Sequence, residues 1–256
     1  MRRFRHLAGQ HRTPATNRLL GGLLAFNAGA VNAGGFLVAH MYTSHMTGFV
    51  SMVADNLVLG DITLVLGALG ALLAFISGAA STAVIIHWSR LHHLRSAYAL
   101  PLLLLATLML IFGLIGGTLN AKQTPFAVPL TVLVLAYSMG LQNAMVTKMS
   151  SAQIRTTHMT GVITDLGIEL GKLLYWNRVG SAPESQVRAN RVKMRLFGTL
   201  LGLFMLGGLV GAAGFKYIGF FWVVPLATLL LAVCIPHLLD DLRRLLRQRR
   251  LRLGAT

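Results

Sequence analysis

The sequence predicts an all-α, polytopic membrane protein: six transmembrane helices arranged as two inverted three-helix repeats, each with a re-entrant or interfacial half-helix. Three observations lead there. Six stretches of bilayer-crossing length hold no Asp, Glu, Lys or Arg, the basic residues crowd the tails and alternate loops, and one motif occurs twice. The motif reads TSHMTGFV at 43–50 and TTHMTGVI at 156–163.

The six stretches are Leu19–Ala39, Ile62–Ile86, Ala97–Thr118, Pro125–Thr147, Leu196–Phe215 and Tyr217–Leu239. A crossing helix needs about 20 mainly apolar residues, and all six qualify. The charged share is 12%, about half that of a soluble domain, which argues against a soluble fold. The N-terminal arginines precede an apolar run too long for the h-region of a signal peptide, so the first stretch reads as a permanent span. The lone Cys234 lies in the last span and supports neither a disulfide framework nor a thiolate metal site.

Residues 1–18 then form a basic cytoplasmic tail. Repeat 1 covers 19–118, with spans 19–39, 62–86 and 97–118 and a half-helix at 46–59. Repeat 2 covers 125–239, with spans 125–147, 196–215 and 217–239 and a half-helix at 159–176. A second basic cytoplasmic tail covers 240–256, either as an amphipathic helix on the inner leaflet or as a disordered segment. With six crossings and the N-terminus inside, all of the 23 Lys and Arg except Lys122 and Lys216 face the cytoplasm. Counting the motif segments as crossings moves five of these outside or leaves them there, against the positive-inside rule. The net charge of +16 shows no basic face interleaved with aromatics, so its partner is the anionic headgroup layer at the cytoplasmic face rather than nucleic acid.

Three spans per copy put the second copy into the membrane upside down, a plan common among secondary transporters. Gly29-Ala-Val-Asn32-Ala33 precedes the first motif and Gly140-Leu-Gln-Asn143-Ala144 the second, at nearly the same offset. Through GAVNAGGF, SHMTG, GLQNAMV and IRTTHMTG, in that order, the chain resembles the YoaK-type family of uncharacterised six-span bacterial membrane proteins, over roughly residues 19–240. The resemblance implies a multi-pass protein of the bacterial inner membrane and supplies no substrate. Members often carry Asp where this chain has Asn32.

Lengths allow each motif to reach into the bilayer. Residues 37–45 extended span about 30 Å, and a helix over 46–59 climbs back about 21 Å. Thr43, Ser44 and Thr47 are then N-cap candidates, and Gly48 would let a neighbouring backbone come close. Thr156, Thr157, Thr160 and Gly161 repeat the pattern from the other side. Two helix starts meeting near the midplane would attract an anion, because the first-turn N–H groups lack partners. Short interfacial helices with satisfied hydroxyls are the alternative. Asn32 and Asn143 either contact a substrate or bridge helices.

Four of the seven acids, Asp55, Asp61, Asp165 and Glu169, lie within or beside the half-helices. Asp165 and Glu169 share a helical face; with Arg155 they would form a buried cluster, or Lys172 pairs with Glu169 on a solvated face. His45, His158, Asp165 and Glu169 are candidates for a proton relay. His40 and His45 are awkwardly spaced for a metal and no carboxylate joins them, so neither metal nor cofactor is expected. Gly113/Gly117, Gly198/Gly202 and Gly207/Gly211 allow close helix contact, within one chain or in a homo-oligomer.

The predicted function is passage of a small polar or anionic solute, with proton coupling as a variant. A non-transporting scaffold or sensor is the first rival. A membrane-embedded enzyme is the second, weakened by the lack of a serine nucleophile elbow, an HExxH or a paired catalytic Asp motif.

Overall fold

A computed structural model of the chain describes residues 13–94, 96–121, 127–151, 153–177 and 186–253. The cations of the first twelve positions, with Arg95, Lys122 and Arg178 of the charge count, lie outside the described residues. The described chain is all helical: α1 Pro14–Ala39, α2 Met46–Leu59, α3 Ile62–Leu91, α4 Ala99–Ala121, α5 Ala127–Met149, α6 Met159–Leu174, α7 Arg191–Tyr217 and α8 Val223–Leu253, with a 3-10 turn at Gly219–Trp222 before α8. Six of these helices, α1, α3, α4, α5, α7 and α8, are long and apolar enough to cross a membrane.

Local chemistry sets the boundaries. Thr13 and Thr16 form a reciprocal capping box and Pro14 occupies the first turn, so α1 starts five residues before the expected Leu19. The last span was expected from Tyr217. Instead α7 runs through Tyr217, Gly219 takes the left-handed φ of 74°, and α8 starts at Val223. The 240–253 stretch is neither a separate surface helix nor irregular: α8 continues through Pro236 to Leu253 as one helix of 31 residues, about 46 Å long.

The spans pack as pairs. α1 lies against α7 and α3 against α5, α4 packs on α8, and α1 also touches α5. Along α1 and α7 the contacts run Gly22–Leu203, Gly29–Phe204, Ala30–Gly211 and Gly34–Phe215, so these two helices are parallel. α1 and α5 are antiparallel, because Asn17 donates to the Met149 carbonyl (3.3 Å) while Asn27 meets Gln142 (3.2 Å). Glycine makes the two tight crossings. A Cβ on Gly29 would land on the Phe204 carbonyl oxygen and one on Gly207 on that of Phe26; at the other crossing Gly140 faces Phe75 and Gly78 faces Tyr137 in the same way. Gly207 and Gly211 thus serve the fold of one chain, whereas Gly198 and Gly202 meet nothing within 4 Å.

Leu24, Leu102, Leu105, Met109, Leu135, Met139 and Met145 fill the centre between α1, α4 and α5. Outward, Leu66, Leu73, Ile76 and Val84 of α3 and Leu209 of α7 stay exposed, greasy surface suited to lipid tails. One end of the bundle is basic. It holds the start of α1 (Arg18), the ends of α3 (Arg90) and α5 (Lys148), the start of α7 (Arg191, Lys193, Arg195) and the end of α8 (Arg243, Arg244, Arg247). Contacts tie these termini together: Asn17 to Met149, Lys148 Nζ to His87 Nε2 at 3.1 Å, and the Ser96 N–H to the buried carboxylate of Asp241 at 2.8 Å.

Candidate functional site

Each short helix begins beside an asparagine of the span before it. At the end of α1, His40 adopts a left-handed φ of 52° and donates its N–H to the Phe36 carbonyl at 2.8 Å, which ends the helix. The chain then folds back until Ser44 donates its hydroxyl (3.1 Å) and N–H (3.4 Å) to Asn32 Oδ1. At the end of α5, Ser150 staples the return loop by accepting the Ile154 N–H at 2.9 Å, and Thr157 donates to Asn143 Oδ1 at 2.5 Å. Asn32 and Asn143 each lie about 10 Å before the end of their helix.

The expected hydroxyl caps do not form. His45 and His158 occupy the N-cap positions of α2 and α6, and neither helix start has a side-chain cap, because Ser44 and Thr157 are committed to the asparagines. The motif glycine has a different reason from the one expected. A Cβ on Gly48 would approach His45 Nδ1 to 2.7 Å, and one on Gly161 would approach His158 Nδ1 to 2.5 Å. Each histidine folds over the first turn of its own helix, and the glycine three residues on leaves room for the ring. Thr47 and Thr160 are exposed, and Thr160 accepts the Thr164 hydroxyl through its carbonyl at 2.9 Å.

Between the two starts lies a buried neutral network that includes residues the sequence did not single out. Asn27 donates to Gln142 Oε1 (3.2 Å); Gln142 Nε2 donates to the Leu24 carbonyl (2.9 Å) and to Thr156 Oγ1 (3.3 Å). By the repeat offset, Val31 stands where the second copy has Gln142. Thr43, the counterpart of Thr156, is fully buried and its hydroxyl has no hydrogen-bond partner; Asn27 Oδ1 has none either. The two helix starts are staggered rather than opposed. With Asn27 level with Gln142, Asn32 and Asn143 sit about six residues, or 9 Å, apart along the axis.

The charged residues separate instead of clustering. Among the described residues the one ion pair is Lys172 to Glu169, at 2.9 Å. Glu169 is buried and its other oxygen accepts the Asn190 N–H at 2.6 Å, where Asn190 caps α7. Asp165 is exposed, and Arg155 turns to His158, with its Nη1 at 3.1 Å from His158 Nδ1. The acids and Arg155 therefore form no common cluster. Among the described residues no three His, Cys, Asp or Glu side chains gather as a metal site.

Glu169 carries a testable pH dependence. The Asn190 N–H and then the Lys172 ammonium hold its carboxyl below the ordinary value of 4.5, against burial that pushes it up. A carboxylate more acidic folded than unfolded stabilises the fold above its unfolded pKa, and that contribution is lost as pH falls through the lowered value. The melting temperature of the wild type is expected to fall more steeply than that of Glu169→Gln on acidification below pH 4.5, measured in detergent.

Arg155 and His158 border a groove of about 460 Å³ whose lining also includes Phe75, Gly140, Asn143 and Lys148. A guanidinium can only donate, so His158 Nδ1 accepts and Nε2 carries the ring hydrogen; an ammonium can only donate, so His87 accepts from Lys148. Asn143 Oδ1 is taken by Thr157, which leaves its amide N–H₂ for the groove. Donors from Arg155, His158, Lys148 and Asn143 thus converge, and no acid is part of the lining. The corresponding positions of the first half differ: Phe36, Leu37 and Tyr42 stand where the second half has Thr147, Lys148 and Arg155. Phe36 and Tyr42 stack at 4.8 Å and 14°.

Six apolar helices of crossing length, two short helices begun at paired motifs and an outward greasy surface define a polytopic membrane protein. The family model described as protein of unknown function (DUF1275) matches residues 20–235, and the chain belongs to that family. No curated protein and no solved structure matches it significantly.

Proposed function

We propose that the protein passes a small anionic solute across the membrane, and that the groove at Asn143, Lys148, Arg155 and His158 is the mouth through which the solute arrives from the basic face. The observation that carries this reading is a lining that holds Lys148 and Arg155 and no acid. Convergent N–H groups with no acid attract an anion and repel a cation. Residues lining a groove beside a helix start with no side-chain cap add the positive end of that helix. Thr156, Thr157, Thr160 and Gly161 shape this start; Asn32, Thr43, Ser44, His45, Thr47 and Gly48 shape its counterpart. His158, whose ring hydrogen lies at Nε2, is the group placed to exchange a proton with the solute, and His45 is its equivalent in the first half.

The inverted two-copy plan supports a carrier or channel over a static scaffold. Gly29–Phe204 corresponds to Gly140–Phe75, and Gly207–Phe26 to Gly78–Tyr137. Asn32–Ser44 corresponds to Asn143–Thr157, and Asp61 and Asn190 cap corresponding helices. With α1 and α5 antiparallel, the copies run in opposite directions, and both short helices start below the ends of their spans as re-entrant segments do. The basic end faces the cytoplasm, as the positive-inside rule requires of both termini.

The test is flux into proteoliposomes with acetate, phosphate, sulfate and methanesulfonate as trial anions. Arg155→Gln is expected to reduce the flux of any transported anion about tenfold, the loss of one charge-assisted hydrogen bond of roughly 1.5 kcal/mol. Flux of every trial anion equal to that of protein-free vesicles, or flux untouched by Arg155→Gln combined with Lys148→Gln, would overturn the reading.

A further inference from the structure

The groove has two chemically different ends, and this divides anions into those that fill it and those that do not. Its α5 wall is the ladder Gly140, Ala144 and Lys148, flanked by the polar Asn143 and Thr147, and its α3 wall is Phe75 and Ala79. Residues four apart on a helix share a face, so Gly140, Ala144 and Lys148 form one line. Eight residues of helix make that line about 12 Å long. The cations stand at one end only, Lys148 on α5 and Arg155 in the loop after it. The remainder of that line and the facing α3 wall are bare of polar side chains. The volume of about 460 Å³ is of the size that takes a small organic ligand.

Resting on the anion reading above, we infer that the ligand is an amphipathic organic anion. Its carboxylate, sulfonate or phosphate meets Lys148 and Arg155, and its apolar body lies against Phe75, Ala79 and Ala144. An inorganic anion would fill only the mouth and leave the inner wall facing water. An apolar body displaces that water, and burial of its surface adds to binding. Gly140 marks the inner end: with no side chain, it lets the α5 backbone meet the Phe75 carbonyl of α3, and that crossing closes the groove.

The experiment compares sulfate, methanesulfonate and benzenesulfonate, all ionised throughout the neutral range, by isothermal titration of the full-length protein in phosphatidylcholine nanodiscs. Benzenesulfonate is expected to bind at least tenfold more tightly than methanesulfonate. Ala144→Leu, which fills the inner groove with a residue suited to a membrane helix, is expected to erase that preference. Arg155→Gln is expected to weaken both sulfonates. Equal affinity for the two sulfonates, with both lost in Arg155→Gln, overturns the amphipathic ligand and leaves the anion site standing. Binding of none of the three overturns both. If phosphatidylglycerol co-purifies with the wild type but not with Arg155→Gln, and no sulfonate binds in phosphatidylcholine, the groove belongs to a lipid headgroup and the small-ligand inference fails.

Discussion

Gly140→Ala and Gly207→Ala are each expected to remove most of the folded protein from the membrane, the largest stability effects this fold predicts. In each variant the new methyl group would sit on a carbonyl oxygen of the opposing helix, Phe75 for Gly140 and Phe26 for Gly207. A flexible side chain could swing away; a backbone carbonyl cannot, so the helices must part along the crossing. Overpacking a tight contact costs about 1–3 kcal/mol. The upper end applies here, because parted helices in lipid lose van der Waals contact with no hydrophobic gain to offset it. The two crossings share no residues, so the double variant should lose the sum of the two single losses. Gly198→Ala and Gly202→Ala are the controls. Both positions face open space, and alanine favours the helix there by up to about 1 kcal/mol. Thermal unfolding followed by size-exclusion chromatography in detergent reads all four. Gly207→Ala melting with Gly202→Ala would contradict the α1–α7 crossing.

The same glycines show which parts of this fold are legible in a sequence. Six spans are readable because a bilayer excludes charge, and absence of charge is a property of each stretch alone. Glycine spacing is readable too, but it does not tell which glycine meets which helix. Four pairs with the four-residue spacing are present; Gly207 and Gly211 meet α1, Gly167, Gly171, Gly198 and Gly202 meet nothing within 4 Å, and two of the tightest contacts, Gly29 and Gly140, lie outside any such pair. Pairings between helices far apart in the chain decide this, and no local pattern encodes them.

The site divides in the same way. The motif residues announce themselves by repetition, and with them the neighbouring Asn32 and Asn143. What each side chain does was hidden. The hydroxyls of Ser44 and Thr157 look like caps but are drawn to asparagines on the preceding span. Of the two partners readable for Glu169, Arg155 and Lys172, the structure shows Lys172, while the start of α7, which no local pattern announces, takes its second oxygen. Asn27 carries no motif signal, because one amide in an apolar span is ordinary until Gln142 of another span reaches it. Asp241 passes as a tail charge until the start of α4 is seen to rest on it.

Gly161→Ala is expected to cut anion flux by roughly a hundredfold while the protein still folds, the largest functional effect of any single methyl group in the site. The methyl would meet His158 Nδ1, and Arg155 Nη1 lies only 3.3 Å from the same point. One substitution therefore displaces the imidazole and the guanidinium together. Two charge-assisted contacts at roughly 1.5 kcal/mol each account for that factor. Stability should change little, since Gly161 lies at a helix start whose packing rests on Val162 and Glu169, and alanine is the better helix former. Gly48→Ala is the informative comparison. It would displace His45 in the same manner, but Tyr42, stacked on Phe36, stands where the second half has Arg155, so no cation moves. Its flux should fall far less, by about tenfold at most if one histidine contact is lost. Equal losses in the two variants would mean that the histidines act alike in both halves and that Arg155 contributes nothing; a Gly161→Ala protein with wild-type flux would remove His158 and Arg155 from the path of the solute altogether.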